Sequence, residues 1–411
     1  MRIIVQKFGG TSVATPGGRT LVAHHVKAAL AEGRTPVVVV SAMGRQGDPY
    51  ATDSLLQLAA SASPATAARE LDLLMSCGEI ISAVVNAATL QGEGISSVTV
   101  MTGWQAGIVT DESFGDARIL RVEPDRLLRR LEQGETVVVA GFQGASERGE
   151  IATLGRGGSD TTAVALGIAL QAEEVHIFTD VDGIKTADPR LVADAHTLRV
   201  VNYEEVMQMA SLGSRVIHPR AVELAMQANL RLRIRNTFVD DPGTLVTNLT
   251  ETPGVWSGLE MGRPVTGVTQ MTNVCQVAVL PGARQDGRDD QDVRIFRCLA
   301  ESGISVDLIN VSPDARLFTI HEEQAERAGD LLSAQGFEVR LRHGCAKVSV
   351  VGMGMRGLPG VMARVVEALY GAGVTILQTA DSHVTISCLV DQAQMQTAVQ
   401  ALHGAFGLGD V

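Results

Sequence analysis

At 411 residues, with 45% hydrophobic and 19% charged side chains, the chain has the make-up of an ordinary globular protein with room for two or three separate cores. Its formal net charge of -12 and the want of a long basic run argue against nucleic acid as a partner. Five cysteines, Cys77, Cys275, Cys298, Cys345 and Cys388, are scattered without a CxxC pair, which fits a reducing cytoplasmic setting better than a disulfide framework or a zinc site.

The opening MRIIVQKFGG has too short an apolar run for a signal peptide and predicts a strand, Ile3 to Val5, that ends at Lys7 before Gly9, Gly10, Thr11 and Ser12. A helix follows from Gly18 to Ala31 with Gly33 as its stop, then a strand from Pro36 to Val40 that gives way to Ser41, Ala42, Met43 and Gly44. Strand, small-residue turn, helix, strand is the rhythm of an α/β domain with a mainly parallel sheet, whose ligands bind beyond the carboxyl ends of the strands. Lys7, Ser41, Gly141, Thr179 and Asp180 all stand at such ends. Helices are predicted for Asp53 to Ala60, Ala65 to Leu90 and Pro124 to Glu132, and strands for Val98 to Met101, Gly107 to Thr110, Ile119 to Val122 and Val137 to Ala140. Glu79, set among Cys77, Gly78, Ile80 and Ile81, is either a helix-surface charge or a receiver for a substrate ammonium group. Uncharged stretches such as Gly94 to Thr110 are broken by Gly, Ser, Thr and Gln, so no membrane span is expected.

The stretch IATLGRGGSDTTAVALG, Ile151 to Gly167, is the most telling. Gly155, Gly157 and Gly158 surround Arg156, and a small-residue helix from Thr161 to Leu170 follows Ser159 and Asp160. Glycines let the backbone approach a ligand closely, and the helix N-terminus offers unpaired N–H groups to a carboxylate or phosphate. The bland alternatives are an ordinary glycine-rich turn, with Asp160 as the cap of the helix. Val175 to Thr179 is a further strand, and the polar loop from Asp180 to Arg190 is long enough to suggest a task. Helices from Tyr203 to Leu212 and Pro219 to Ala228, and a strand from Leu230 to Ile234, complete this region before a Gly, Pro, Thr and Glu-rich linker near Thr250 to Pro264.

The remainder is repetitive. Arg294, Leu299 and Gly303 recur as Arg364, Leu369 and Gly373 at a constant spacing of 70 residues, marking a pair of small α+β units. Such units leave sheet edges that favour association with a neighbour. Gly352 to Gly357 matches GxGxxG, but the repeat leaves no room for a Rossmann half, so nicotinamide binding is not expected.

Taken together, KFGGTS at Lys7 to Ser12, SAMG at Ser41 to Gly44, Gly78-Glu79, GFQG at Gly141 to Gly144, TLGRGGSDTTA at Thr153 to Ala163, TDVDG with TADPR, and HPRAVE after His218 resemble the aspartate kinase family over essentially the whole chain. The segment Val37 to Leu56 is most similar to the monofunctional, diaminopimelate-sensitive type. The resemblance implies an amino acid kinase fold over 1–248, a mainly parallel sheet sandwiched by helices, a linker over 249–264, and two ferredoxin-like βαββαβ ACT units over 265–343 and 344–411.

It also implies a reaction: ATP and L-aspartate giving 4-phospho-L-aspartate and ADP with Mg2+, the first step toward lysine, threonine, methionine and diaminopimelate. By motif, Lys7 bridges phosphates and Asp160 orients it; Phe8, Gly9, Gly10, Ser41, Thr179, Asp180, Lys185, Arg190 and Arg215 lie around the nucleotide. Arg156 grips the substrate carboxylate, Glu79 takes the ammonium group, and Thr52, Gly157, Gly158 and Ser159 complete the aspartate site. Arg215 stands where the family commonly has Lys, and Lys185 where it often has an apolar or aromatic residue, so a surface role for either stays open. The ACT pair implies an amino-acid effector, lysine, threonine or meso-diaminopimelate, with Asp307 and Asn310 as effector contacts or plain turn and edge residues, and a homodimer or higher homo-oligomer formed through ACT units. Another kinase of the same fold, such as N-acetylglutamate kinase, and a non-catalytic amino-acid sensor are the rival readings.

Overall fold

The structure is a computed structural model that describes residues 1–44, 47–214, 216–248, 264–280, 291–355 and 357–409. Most of the predicted linker and Arg215 lie outside the described residues. The chain divides into two compact units, one made of 1–184, 197–210 and the described part of 215–255, the other of 185–196, 211–214 and the described part of 256–411.

The first unit runs β1 (Ile3–Phe8), α1 (Gly10–Val13), α2 (Pro16–Ala31), β2 (Thr35–Val40), α3 (Thr52–Ala62), α4 (Ala68–Gly92), β3 (Val98–Met101), β4 (Ile108–Thr110), β5 (Ile119–Val122), α5 (Asp125–Glu132) and β6 (Thr136–Ala140). It continues with β7 (Gln143–Ser146), β8 (Ile151–Thr153), α6 (Gly158–Ala169), β9 (Glu174–Thr179), β10 (Val200–Asn202), α7 (Tyr203–Ser211), α8 (Pro219–Gln227), β11 (Leu232–Asn236) and β12 (Thr244–Thr247). Eight strands form one sheet in the order β10-β12-β11-β9-β1-β2-β6-β3, parallel except for the β11–β12 pair. Runs such as IIVQKF, TPVVVV and TVVVA are near-continuous apolar stretches because helices cover both faces of a parallel sheet. On one face Val22 and Val26 of α2 and Ala83, Ala87 and Leu90 of α4 pack against Phe8, Val38, Val40, Val138 and Phe178. A smaller sheet, β5-β4-β7-β8, has strands too short and too poor in apolar alternation to be read from sequence beyond β4 and β5.

One boundary differs from the sequence reading in a way that matters. The helix after the glycine loop starts at Gly158, not Thr161, with Gly157 as its left-handed N-cap residue at φ 70°. Asp160 is therefore inside the first turn and is not the cap. The long helix α4 is long and apolar enough by length and composition to cross a membrane. Here it is a core helix, with Asp72, Ser76, Glu79, Ser82 and Asn86 among its buried residues.

The second unit contains β13 (Gly267–Leu280), α9 (Gln291–Glu301), β14 (Asp307–Val311), β15 (Arg316–His321), α10 (Ala325–Ala334), β16 (Glu338–Val351), α11 (Val361–Gly371), β17 (Gln378–Asp381), β18 (Thr385–Asp391) and α12 (Met395–Ala405). All six strands belong to one antiparallel sheet, β14-β15-β13-β16-β18-β17. The two 14-residue strands β13 and β16 each serve both repeats: Val277 and Val279 of β13 enter the first core, while Val268 of the same strand enters the second with Val348 and Val350. Ala187 and Val192, from the polar loop after β9, are also buried in that second core.

Candidate active site

The parallel register aligns the carboxyl ends of β9, β1, β2 and β6 side by side, so the segments leaving them converge. Gly9 donates its N–H to Phe178 O at 3.2 Å, Ser41 to Phe8 O at 3.1 Å and Gly141 to Val40 O at 3.0 Å, which stitches the four exits together. Lys7, in the last turn of β1, is oriented toward α6: its Nζ lies 2.6 Å from Asp160 Oδ1, an ion pair in which both side chains are about nine-tenths buried (12% and 11% exposed). Asp160 Oδ2 accepts the His218 N–H at 3.4 Å. Gly9 is close by, the place of a Cβ being 3.6 Å from Lys7 Nζ.

The glycine loop owes its shape to contacts the sequence does not announce. A Cβ on Gly157 would meet the His218 ring at 2.2 Å, so only glycine admits that ring behind the left-handed turn. Phe142, itself at φ 70°, donates its N–H to Thr162 Oγ1 at 3.1 Å and ties the exit of β6 to α6. Asp72 is fully buried and accepts from Gly115 N–H (3.0 Å), Thr153 N–H (2.7 Å) and the Thr153 hydroxyl (2.9 Å), fixing the strand that leads into the loop. Asp72 was not singled out from sequence, and Phe142 and His218 entered it only inside the GFQG and HPRAVE motifs. The spacing of Asp72, Ser76, Glu79 and Ala83 along one helical face was the available signal for the first.

Glu79 is no helix-surface charge: it is buried, 5% exposed, in the middle of α4. Its Oε1 accepts the Ala42 N–H at 3.0 Å, while Oε2 is buried with no hydrogen-bond partner. Burial pushes this carboxyl up to about 7, against partial relief from the Ala42 N–H. The Thr52 hydroxyl lies 3.6 Å from where a Cβ on Gly78, the residue before Glu79 in sequence, would sit. Ser159 is buried beside Asp160, whereas Arg156 is exposed and makes no ion pair among the described residues. Thr179 donates its hydroxyl to Asp180 Oδ1 at 3.2 Å, and Asp180 is exposed at the end of β9.

Lys185 and Arg190 belong to the second unit, where the exposed Arg190 pairs with Asp188 (Nη2 to Oδ2, 2.7 Å). Asp307 opens β14 and pairs its carboxylate with the Nζ of Lys347, a lysine only 5% exposed. Leu308, next to it, is at φ 46°, and Asn310 is exposed on the same strand.

The site has the features of a phosphoryl-transfer centre: a pre-oriented lysine, glycine-rich turns at strand ends and a helix N-terminus. The sequence pattern of the amino acid kinase family matches residues 2–236, and that of the ACT domain matches residues 340–404. Aspartokinase 1 of Bacillus subtilis (strain 168) is 47% identical over 408 residues, covering 99% of this chain and 100% of its own. The aspartokinase of Geobacillus stearothermophilus is 41% identical, over 100% of this chain and 98% of its own. Escherichia coli aspartokinase III, solved in complex with aspartate and ADP in its R-state, superposes with a TM-score of 0.77 at 25% identity, covering 98% of this chain and 99% of that one. The chain belongs to the aspartokinases, within the amino acid kinase family. Kinases that use ATP work with a divalent cation.

Proposed function

We propose that the chain transfers the terminal phosphoryl group of ATP to the side-chain carboxylate of L-aspartate, giving 4-phospho-L-aspartate and ADP, and so supplies amino-acid biosynthesis. The observation that carries this reading is the buried Glu79 carboxylate, which accepts from Ala42 just past the end of β2 and has Oε2 unpartnered, together with the Lys7–Asp160 pair at the end of the neighbouring β1. A buried carboxylate without a cation is costly, and a substrate ammonium group would supply the missing charge. Arg156, exposed between two left-handed glycines, then takes the α-carboxylate, with Thr52, Gly157, Gly158 and Ser159 as hydrogen-bonding neighbours.

The attacking side-chain carboxylate is ionised at neutral pH, so no general base is required. What remains is to bring two anions together in line, and Lys7 provides the charge for that. Asp160 holds the ammonium of Lys7 at the strand end, while Phe8, Gly9, Gly10, Ser41, Thr179 and Asp180 border the phosphates and nucleotide. Lys185 and Arg190 enter this proposal through their motif alone, and Arg215 lies outside the described residues. The oxygen donors at these strand ends, Asp180 foremost, suit Mg2+, which is commonly held by one or two carboxylates together with phosphates. When bound, that ion would offset charge on the phosphates.

The ACT match supports control by an amino-acid effector, with Asp307 and Asn310 as its contacts, and association of the chain through ACT units into a homodimer or higher homo-oligomer. Because the Asp307 carboxylate is engaged by Lys347, an effector amine would share or displace that lysine. Formation of aspartyl hydroxamate from L-aspartate, ATP, hydroxylamine and Mg2+ tests the catalytic reading, and an absence of product overturns it. Regulation is tested by adding lysine, threonine and meso-diaminopimelate, singly and in pairs; activity and Tm unmoved by all of them would sink it.

A further inference from the structure

Outside the kinase site, three different metal-ligating side chains converge between the buried Cys275 of the first ACT core and the surface, where Glu322 is half-buried and His343 exposed. One ligand atom each from Cys275, Glu322 and His343 lies within 4.8 Å of the other two. They come from three separate places in the chain: Cys275 from β13, His343 from β16, and Glu322 from the single 3-10 turn (Glu322–Gln324) between β15 and α10. A β-bulge brings them together. Val274 pairs with Cys345 and Gln276 with Arg342, so the single residue Cys275 faces two, His343 and Gly344. Gly344 adopts φ 66°, the left-handed angle such a bulge requires, although a Cβ there would meet nothing within 4 Å.

The groups around the three are arranged as supporting partners of a metal site. The Gly344 N–H donates to Glu322 Oε2 at 3.3 Å, while Glu322 Oε1 lies 2.5 Å from His343 Nδ1. His343 Nε2 faces Glu326 Oε1 at 3.5 Å. A ligating imidazole usually gives its second N–H to a carboxylate in this manner, which fixes its tautomer and orientation. The Cys275 thiol is fully buried and lies 3.6 Å from Gln276 O.

We propose that Cys275, Glu322 and His343 form a binding site for one divalent transition-metal ion of the Zn2+ type, with a water in the fourth position. Sulfur, imidazole and carboxylate together suit Zn2+ rather than Mg2+ or Ca2+, which take oxygen ligands. Bonds of roughly 2.0–2.3 Å place tetrahedral ligands roughly 3–4 Å apart, so donors now within 4.8 Å of one another need shift by only about 1 Å, the 2.5 Å Glu322–His343 contact opening to admit the ion. On binding, the Cys275 S–H bond breaks, its proton leaves to solvent and a sulfur–metal bond forms, with no change of oxidation state. The ion would clamp β13, β16 and the start of α10. The scattered cysteine spacing argued against a zinc site only because spacing reads neighbours in sequence, and these ligands meet through the fold.

The test is a Co2+ titration of the chelator-treated full-length chain, with Zn2+ as competitor. One equivalent of Co2+ should produce a sulfur-to-cobalt charge-transfer band in the near ultraviolet and strong visible bands of a four-coordinate ion, and Zn2+ should erase them. Cys275→Ser should abolish the charge-transfer band, and Glu326→Gln should weaken Co2+ binding by about 10–100-fold. Absence of the band in the wild type, or its persistence in Cys275→Ser, overturns the site. His343→Ala, at an exposed position, keeps the test open if the cysteine variant fails to fold: unchanged Co2+ affinity overturns the site, and a loss of tenfold or more supports it. None of these residues belongs to the proposed kinase site, so hydroxamate formation serves as the check on folding.

Discussion

In the mainly parallel sheet, β2 and β6 are valine-rich along their whole length, and Lys7, Ser41 and Thr179 stand at or just past the strand ends. In the antiparallel sheet, polar side chains sit buried or half-buried in mid-strand and complete one another: Ser349 Oγ is 2.7 Å from Ser387 Oγ, Gln276 donates to Gln378 at 2.8 Å, Gln378 donates to Leu308 O, and Lys347 pairs with Asp307. The first unit leaves the Glu79 Oε2 unpartnered in its interior, a deficit a ligand can fill. The second spends its buried polar groups on holding two repeats in one sheet. A parallel sheet covered on both faces leaves little room for polar groups in mid-strand, where Gln6 and His176 are the buried examples, and its ligand chemistry gathers at the strand ends.

The sharpest way to break this contrast is at Lys7. Lys7→Ala should lower kcat for hydroxamate formation by about 10²–10³-fold with the fold intact, since it removes a preorganised charge from a water-poor site. Full turnover in that variant would remove the charge bridge from the mechanism. Glu79→Gln comes next: KM for aspartate should rise by about 10²-fold, the scale of losing a buried charge partner, with a smaller change in kcat.

The same residue carries a pH signature. Its folded carboxyl is raised from the ordinary 4.5 to about 7, so the unliganded folded state holds the proton more tightly than the unfolded state does. Stability of the free protein should therefore fall as pH rises from about 4.5 to about 7, by at most about 3 kcal/mol from this group. Glu79→Gln should cancel that loss and raise Tm at pH 8, even as it weakens aspartate binding. In the wild type, KM for aspartate should climb as pH drops through about 7, and in Glu79→Gln that climb should flatten. A Tm at pH 8 lowered by the substitution would show that the carboxylate is already satisfied.

In the antiparallel sheet the expected effects are smaller. Asp307→Asn should cost about 1–2 kcal/mol in urea denaturation, because it strands the Lys347 ammonium, which is 5% exposed; the exposure of Asp307 itself screens the pair. Adding Lys347→Met should recover most of that loss, as replacing both partners of an ion pair commonly does. Smallest of all, Arg190→Ala should change stability by less than about 1 kcal/mol, its pair with Asp188 being open to solvent. A rise in KM for ATP of more than tenfold in that variant would establish the nucleotide role taken from its motif.

Much of this was legible in the chain itself. Long apolar strands, glycine turns and the constant 70-residue repeat determined the fold class and nominated the strand ends as the place for ligands, because burial on both faces and tight turns write themselves into local composition. Lys7, Glu79 and Asp160 could likewise be nominated from their motifs. Only the tertiary structure decided that Asp160 meets Lys7 across 153 residues of sequence at 2.6 Å and is no helix cap. It alone left Glu79 half-satisfied, put the His218 ring behind Gly157, let β13 and β16 serve both repeats, and turned Cys275, Glu322 and His343 toward one point. Those features depend on sheet register, a bulge and the packing of distant segments, and periodicity along one chain segment carries no information about which distant segment will face it.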